Sequence, residues 1–417
     1  MKNALLQFLR EASTSLQYRN IKLYCAGAVI SLFGSMMSES MIAWVAFKLT
    51  GSTAVLGTVM SCYMLPMILA SIPGGWVADR FNRKKVVLAT QVIALCIALS
   101  YVTMAALGSI SMGGIYLLSA LLGVTVAFEM SSRMAMLPNL VDDPKHIGNA
   151  FALDSLIFYG CRLCGPAVGA LFLVTGGSGI VWGFAVNAAS YVLELFFLSQ
   201  LKVAAPRADQ QKQDRAGLKE AFAFAFGNPR RRQVMVLLAV TTFFGVYIQL
   251  MPAFTALRNG TALTNGFLIF ASEIGAVVAS LIIANKMGVA DAKSVKDMRR
   301  RIGWAGVIFA VCLAAFALVQ SVWLSLLLMI PVGFAMSAIF SGAQAVLQVE
   351  VEDRMRGAFT AMFYNFAYFG MLALGGPVLG YLASIFGLPA TTCGAALCCL
   401  LASGLYLKQD SKSNPQQ

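Results

Sequence analysis

The chain has 417 residues, of which 59% are hydrophobic and only 12% charged, about half the charge of an ordinary globular domain. Its mean hydropathy of +0.76 comes from apolar runs longer than the roughly 20 residues that cross a bilayer, which excludes a soluble enzyme and makes the chain a polytopic membrane protein. The formal charge of +13, which would suggest nucleic acid in a soluble chain, is read here as basic residues gathered in loops on one membrane side, so no nucleic-acid partner is expected.

Residues 1–21 form a cytoplasmic segment whose start, MKNALLQFLREASTSLQYRN, carries no cleavable leader pattern. Within it, 4–9 are apolar enough to lie along the membrane surface, or else belong to a disordered tail. Twelve spans are predicted, at 22–47, 54–79, 86–107, 114–138, 150–174, 179–201, 234–257, 264–286, 302–319, 322–346, 357–385 and 388–407. An even number puts both termini on one side. The loops of that side hold 27 of the 31 Lys and Arg, against Lys48 and Arg258 opposite and Arg133 and Arg162 in or at the ends of spans. The positive-inside rule therefore predicts cytoplasmic termini. All five tryptophans, Trp44, Trp76, Trp182, Trp304 and Trp323, fall near span ends, where amphipathic rings anchor at the interface.

Residues 202–233 form a polar cytoplasmic linker between an N-terminal six-helix bundle, 22–201, and a C-terminal one, 234–407, which is followed by a tail at 408–417. A short amphipathic helix is expected around 218–226, and Arg230-Arg231-Arg232 reads as a topology and lipid-headgroup anchor. The halves repeat. LPNLVDDPKHIGNAFALDS from Leu137 matches LQVEVEDRMRGAFTAMFYN from Leu347, and Gly165-Pro166-Ala167-Val168-Gly169 matches Gly376-Pro377-Val378-Leu379-Gly380 at nearly the same offset. Repeats of six helices with a substrate site at midplane are a transporter signature.

Nine cysteines fall in or beside apolar runs and read as small fillers; a redox role for Cys161-x-x-Cys164 would need a thiolate with water access. A single histidine, His146, excludes a His-based metal or catalytic cluster, so neither metal nor cofactor is expected. With no phosphate-binding glycine loop ending in Gly-Lys-Ser/Thr, direct ATP coupling is not expected either.

Gly75-Trp76-Val77-Ala78-Asp79-Arg80-Phe81-Asn82-Arg83-Lys84-Lys85 closes span two and opens span three. Glycine allows close helix approach, Asp79 sits where a helix N-terminus or a cation can stabilise it, and the basic cluster holds a tight turn inside. This run resembles the G-x-x-x-D-R-x-G-R-K-K loop of the major facilitator superfamily, in which Gly75, Asp79, Arg80 and Arg83 would act as a conformational latch. Asn82 replaces the usual glycine, and asparagine also tolerates the left-handed conformation. The second-half counterpart near Ala284-Asn285-Lys286-Met287-Gly288 is degenerate.

In span five, Arg162 with Gly165, Pro166 and Gly169 resembles the G-P-x-x-G-G motif of that superfamily's exporters, with Ala170 in place of the last glycine. Proline removes a backbone hydrogen bond and the glycines permit close packing, so a bend at a helix crossing is expected. Ala43-Trp44 with Leu49-Thr50-Gly51-Ser52, Ala127-Phe128-Glu129-Met130 through Arg133 to Leu137-Pro138, and Asn149-Ala150-Phe151 through Arg162 to Gly165-Pro166 resemble the drug- and siderophore-efflux branch, which includes enterobactin and macrolide exporters. The resemblance implies an all-α membrane protein of twelve transmembrane helices in two pseudo-symmetric bundles. The superfamily's span-four arginine is absent, since Ser119 and Ala120 stand about where it would fall.

Ionisable residues within spans are costly and mark cavities or partners. Glu129 and Arg133 lie i, i+4 on one helix face, and Asp154 and Arg162 stand two turns apart. Glu39 and Glu273 have no cation one turn away on their own helices, which makes them, with Glu129, the candidates for proton coupling. Arg133, Asp154, Tyr63, Tyr247, Gln249, Tyr364, Asn365 and Tyr368 are candidates for an amphiphilic substrate cavity. The resemblance places spans three, six, nine and twelve outside that cavity, so Glu194 in span six is expected at the periphery. The expected function is secondary transport of an amphiphilic siderophore- or drug-like molecule, exported against proton entry by a monomer that alternates access. An importer of such a solute, or a lipid flippase of the same fold, is the alternative.

Overall fold

The computed structural model describes residues 14–203, 217–286 and 292–412; the apolar stretch 4–9, much of the linker and the last residues of the tail lie outside them. The first half is α1 Arg19–Thr50, α2 Thr53–Arg80, α3 Arg83–Ala106, α4 Met112–Met136, α5 Ile147–Val174 and α6 Gly177–Ser199. The second is α7 Leu218–Gly227, α8 Pro229–Phe244, α9 Met251–Leu257, α10 Ala262–Lys286, α11 Ala292–Leu318, α12 Val322–Val349, α13 Arg356–Met362, a π-helix Phe363–Gly370, α14 Met371–Phe386 and α15 Leu388–Lys412. No strand occurs among the described residues. With α13, the π-helix and α14 counted as one rod, eleven helices there are long and apolar enough to cross a membrane.

The seventh predicted span, 234–257, is the exception. It is divided into α8 and α9 by a non-helical stretch, Gly245 to Leu250. Proline at 252 has no N–H for the carbonyl one turn earlier, and Gly245 lies so close to the Thr241 carbonyl that a Cβ would collide with it. Local sequence thus interrupts the helix where Tyr247 and Gln249 sit. The short helix expected in the linker is present as α7.

These helices are apolar all round because lipid, not water, meets their outer faces. Leu69, Ile72, Leu117 and Phe196 all point outward and exposed, which on a soluble protein would be an aggregation surface. Trp76, Trp182, Trp304 and Trp323 also face out, as anchoring rings should, whereas Trp44 turns inward and is only 7% exposed. α1, at 32 residues, is about 48 Å long at 1.5 Å per residue, so its ends project beyond a hydrocarbon core of about 30 Å. Turns are short: α14 and α15 are separated by Gly387 alone, at φ +84°, backbone that glycine adopts without steric cost.

The described residues fall into two compact units. One holds the chain up to Leu49, the stretch from Cys62 through α6, and Thr261–Gly266; the other holds Thr50–Ser61, α7 to Gly260, and the chain from Phe267 onward. The core of the first gathers Ile21 and Tyr24 of α1 with Val87, Met136, Leu140, Ile157 and Leu198. In the second, α10 and α12 cross at near backbone contact. A Cβ on Gly275 would strike the Ile330 carbonyl, and one on Gly333 would strike the Ser272 carbonyl.

Candidate functional site

In the first unit, α4 brings Glu129 and Arg133 to one face, as their spacing predicts, and the Arg133 Nη2 donates to Glu129 Oε1 at 2.6 Å. The same nitrogen donates at 2.6 Å to Oε1 of Glu194 on α6. Glu194 is fully buried: although α6 also presents Leu193 and Phe196 outward, its carboxylate turns inward to the guanidinium that receives it. The Arg133 guanidinium also lies over the Tyr24 ring, 5.5 Å from its centroid, and Tyr24 donates to Asp154 Oδ1 at 2.6 Å. Four helices, α1, α4, α5 and α6, thereby share one buried polar cluster.

The loop between α2 and α3 is built differently from its sequence reading. Asn82 is not left-handed; at φ −63° it caps α3, its side chain accepting from the Lys85 N–H at 3.2 Å. Glycine would lose that bond. Gly74, not Gly75, makes the close approach, since a Cβ on Gly74 would stand 3.0 Å from the Ala127 carbonyl while one on Gly75 would meet open space. Arg83 donates to the carbonyls of Ala78 at 3.3 Å and Ala135 at 2.8 Å, tying the loop to the end of α4. Asp79 is exposed, though not without interactions, and Arg80 is exposed over the Trp76 ring, 4.5 Å from its centroid. Arg83→Ala is expected to lower stability by about 1.5–3 kcal/mol, the worth of hydrogen bonds from a charged group, with Arg83→Lys recovering part; thermal unfolding in detergent checks this.

The paired Gly-Pro motifs make equivalent contacts. On α5, Cβ atoms at Gly165 and Gly169 would lie 2.7 Å from Met36 Cβ and 2.8 Å from the Met37 carbonyl of α1, and a Cβ on Gly266, near the start of α10, would lie 2.7 Å from Ala170 Cβ and 3.1 Å from the Pro166 carbonyl. On α14, Gly375 meets the Phe243 carbonyl of α8, while Gly376 and Gly380 meet Gly57 and Thr53 at the start of α2. Thr53 donates to the Gly380 carbonyl at 2.8 Å, and Ser61 donates to that of Ala373. Arg162 is half-buried beside this motif and is not without interactions.

In the second unit, the break between α8 and α9 aims Tyr247 at Ser272, hydroxyl to hydroxyl at 2.9 Å. Glu273 follows it, only 3% exposed and engaged with its surroundings. Gln249 is buried with its Oε1 lacking a hydrogen-bond partner. The π-helix carries Tyr364, Asn365 and Tyr368. Phe340 of α12 lies between Tyr368 and Tyr364, with centroids 4.5 and 5.4 Å away, and Tyr364 donates to Gln344 at 3.2 Å. Tyr63 and Glu39 belong to the first unit, Tyr63 half-buried and Glu39 exposed, and Glu39 too makes an interaction.

A family model described as "Transmembrane secretion effector" matches residues 15–413. The chain belongs to that family of the major facilitator superfamily. Among its relatives, the enterobactin exporter EntS of Shigella boydii serotype 4 (strain Sb227) is 26% identical over 82% of both chains. The multidrug efflux pump Tap of Mycolicibacterium fortuitum is 24% identical over 86% of this chain and 88% of its own. Of solved structures, a bacterial homologue of the lysosomal transporter Spinster, inward-facing and unoccupied, covers 94% of this chain and 97% of that one with a TM-score of 0.75 at 14% identity. The nucleoside transporter NupG follows at 0.73 and 16%, covering 94% and 98%. At such identities these structures establish the fold alone. The chain is therefore a multi-pass membrane transporter of the major facilitator fold, embedded in lipid and handling a small molecule.

Two basic residues read as topology markers are structural in this transporter. Arg258 is 8% exposed, donating to Ser325 Oγ at 2.7 Å and the Phe254 carbonyl at 2.8 Å, with its guanidinium 4.4 Å from the Phe316 centroid. Arg231 lies 3.8 Å over the Phe224 ring of α7 and 3.8 Å from Glu350, binding the chain's own residues instead of headgroups alone. Neither role is visible from charge and loop position. The cysteines are unbonded, with Cys161 buried and Cys164 exposed, and no metal-binding group of His, Cys, Asp or Glu occurs among the described residues.

Proposed function

We propose that this transporter exports an amphiphilic siderophore-like or drug-like molecule across the bacterial inner membrane by proton antiport, alternating access between the two sides. The observation that carries this reading is the interrupted span, whose unwound backbone carries Tyr247, bonded to Ser272 next to Glu273 in sequence, and the buried amide of Gln249. Discontinuous helices near midplane are how secondary transporters present polar groups to cargo. The phenolic, amide and aromatic groups of Tyr364, Asn365, Tyr368 and Phe340 suit a cargo with both apolar and polar faces. Export is supported by two relatives named as an exporter and an efflux pump. Both termini are placed in the cytoplasm by the loop charges, and Asp79, Arg80 and Arg83 serve as the latch. Within the spans, Glu39, Glu129 and Glu273 are the carboxylates proposed to carry the counter-proton.

Proteoliposome flux tests this. Vesicles acidic inside should accumulate siderophores or lipophilic cations, by about tenfold per pH unit for each coupled proton, and a protonophore should abolish the accumulation. Uptake driven by acid outside would instead establish import with the proton, and gradient-independent movement of lipid would establish a flippase.

A further inference from the structure

Glu129 and Glu194 both accept from one nitrogen of Arg133, each at 2.6 Å, so their Oε1 atoms lie no further apart than twice that distance. Ser31 also hydrogen-bonds to Glu194, but Arg133 Nε and Nη1 and Glu194 Oε2 are buried without hydrogen-bond partners. A guanidinium that served only to neutralise two acids would spread its five donors between them in forked contacts. Here one donor nitrogen serves both, and the ionised trio carries one negative charge too many in a low-dielectric interior, where like charges this close repel strongly.

We propose that Glu129 and Glu194 form a proton-binding site that takes up and releases one proton per transport cycle, with Arg133 as its fixed countercharge. The proposal rests on the antiport reading above. When the proton arrives, an O–H bond forms on one carboxylate and the trio becomes neutral; when it leaves, that bond breaks and nothing is oxidised or reduced. Glu129, with 15% of its side chain exposed, is the acid that meets water, and Glu194, with none exposed, is the inner acid. The groups facing the pair are Tyr24 and Ser31 of α1, Tyr63 of α2, Asp154 of α5 and Tyr191 of α6. Of these, Asp154 is held by the Tyr24 hydroxyl and Tyr191 lies 3.0 Å from Ser35 Oγ. Because Arg133 and Glu129 share α4 while Glu194 lies on α6, a proton passed inward to Glu194 weakens the Arg133–Glu194 tie between those helices and its departure restores the tie. The site thus converts a proton into a change of helix contact.

The test is pH-difference infrared spectroscopy of the full chain in phosphatidylethanolamine/phosphatidylglycerol vesicles, with gradient-driven flux measured on the same preparations. In the unaltered protein, the carbonyl stretch of a protonated carboxylic acid should fade as pH rises. Glu129→Gln and Glu194→Gln should each shift or shrink that band and the double variant should lose it, whereas Glu352→Gln, at an exposed position outside the spans, should keep it. Driven accumulation in Glu194→Gln should fall from about tenfold per pH unit to about onefold, with downhill exchange retained. A folded double variant that keeps both the band and driven accumulation overturns the proposal; if the double variant does not fold, Glu194→Gln alone decides by the same spectrum. The spectrum needs no cargo. An unchanged band beside intact driven flux therefore removes this site and spares antiport, while a titrating band with no driven flux in either direction removes antiport and the coupling with it.

Discussion

Arg133→Leu is expected to be among the most damaging single substitutions in the chain. It strips the countercharge from Glu129 and Glu194, both drawn to it at 2.6 Å, and leaves Glu194 fully buried. Breaking a buried ion pair by removing one partner costs about 3–5 kcal/mol, because the orphaned charge stays desolvated. Loss of monodisperse protein on purification and a lowered midpoint of thermal unfolding in detergent should follow. Adding Glu194→Gln should recover part of the loss, since one of the two orphaned charges is gone. A variant with leucine at 133 that melts like the unaltered protein would show that the cluster is well hydrated.

The second large effect is expected at the α10–α12 crossing. Cβ atoms on Gly275 and Gly333 would each strike a main-chain carbonyl of the facing helix, which no change of rotamer can avoid. Overpacking of side chains costs about 1–3 kcal/mol, and here the helix axes themselves would have to part. Gly275→Leu and Gly333→Leu should each prevent recovery of folded protein, and Gly275→Ala should already lower the unfolding midpoint. Val278, exposed on the outer face of α10, is the control, where substitution by leucine should be silent. Equal melting of the leucine variants at 275 and 278 would mean that the crossing can open without cost.

Hydropathy reads well along one helix and poorly between helices. Eleven membrane-crossing rods, the linker helix and the Glu129–Arg133 pair follow from composition and from the spacing of residues on one cylinder. What escaped is set by a neighbour. Glu194 lies 61 residues from Arg133, and nothing in the sequence of α6 says which of its faces meets α4. Gly74 and Gly75 are adjacent, and about 100° of helix rotation decides which of them touches the Ala127 carbonyl. Arg258 and Arg231 are basic residues at span ends, which charge counting assigns to topology, while their partners Ser325, Phe316 and Phe224 come from other elements. The interruption at 245–250 had local signals in Gly245 and Pro252, outweighed by the apolarity of their surroundings. FYNFAYFG carries no comparable mark of its π geometry.

That π-helix, Phe363–Gly370, acts as a phase shift within a rod. Its i→i+5 bonds wind in one residue more per turn than the α form, so everything beyond it sits about one residue, or 100° and 1.5 Å, away from where an unbroken α-helix would put it. Downstream lie Gly375, Gly376 and Gly380, which reach the Phe243 carbonyl, Gly57 and Thr53 only at one azimuth. Rewinding Phe363–Gly370 to α would swing that glycine seam out of register and turn Tyr364, Asn365 and Tyr368 in the same motion. The seam and the aromatic side chains are geared to each other through the main chain alone.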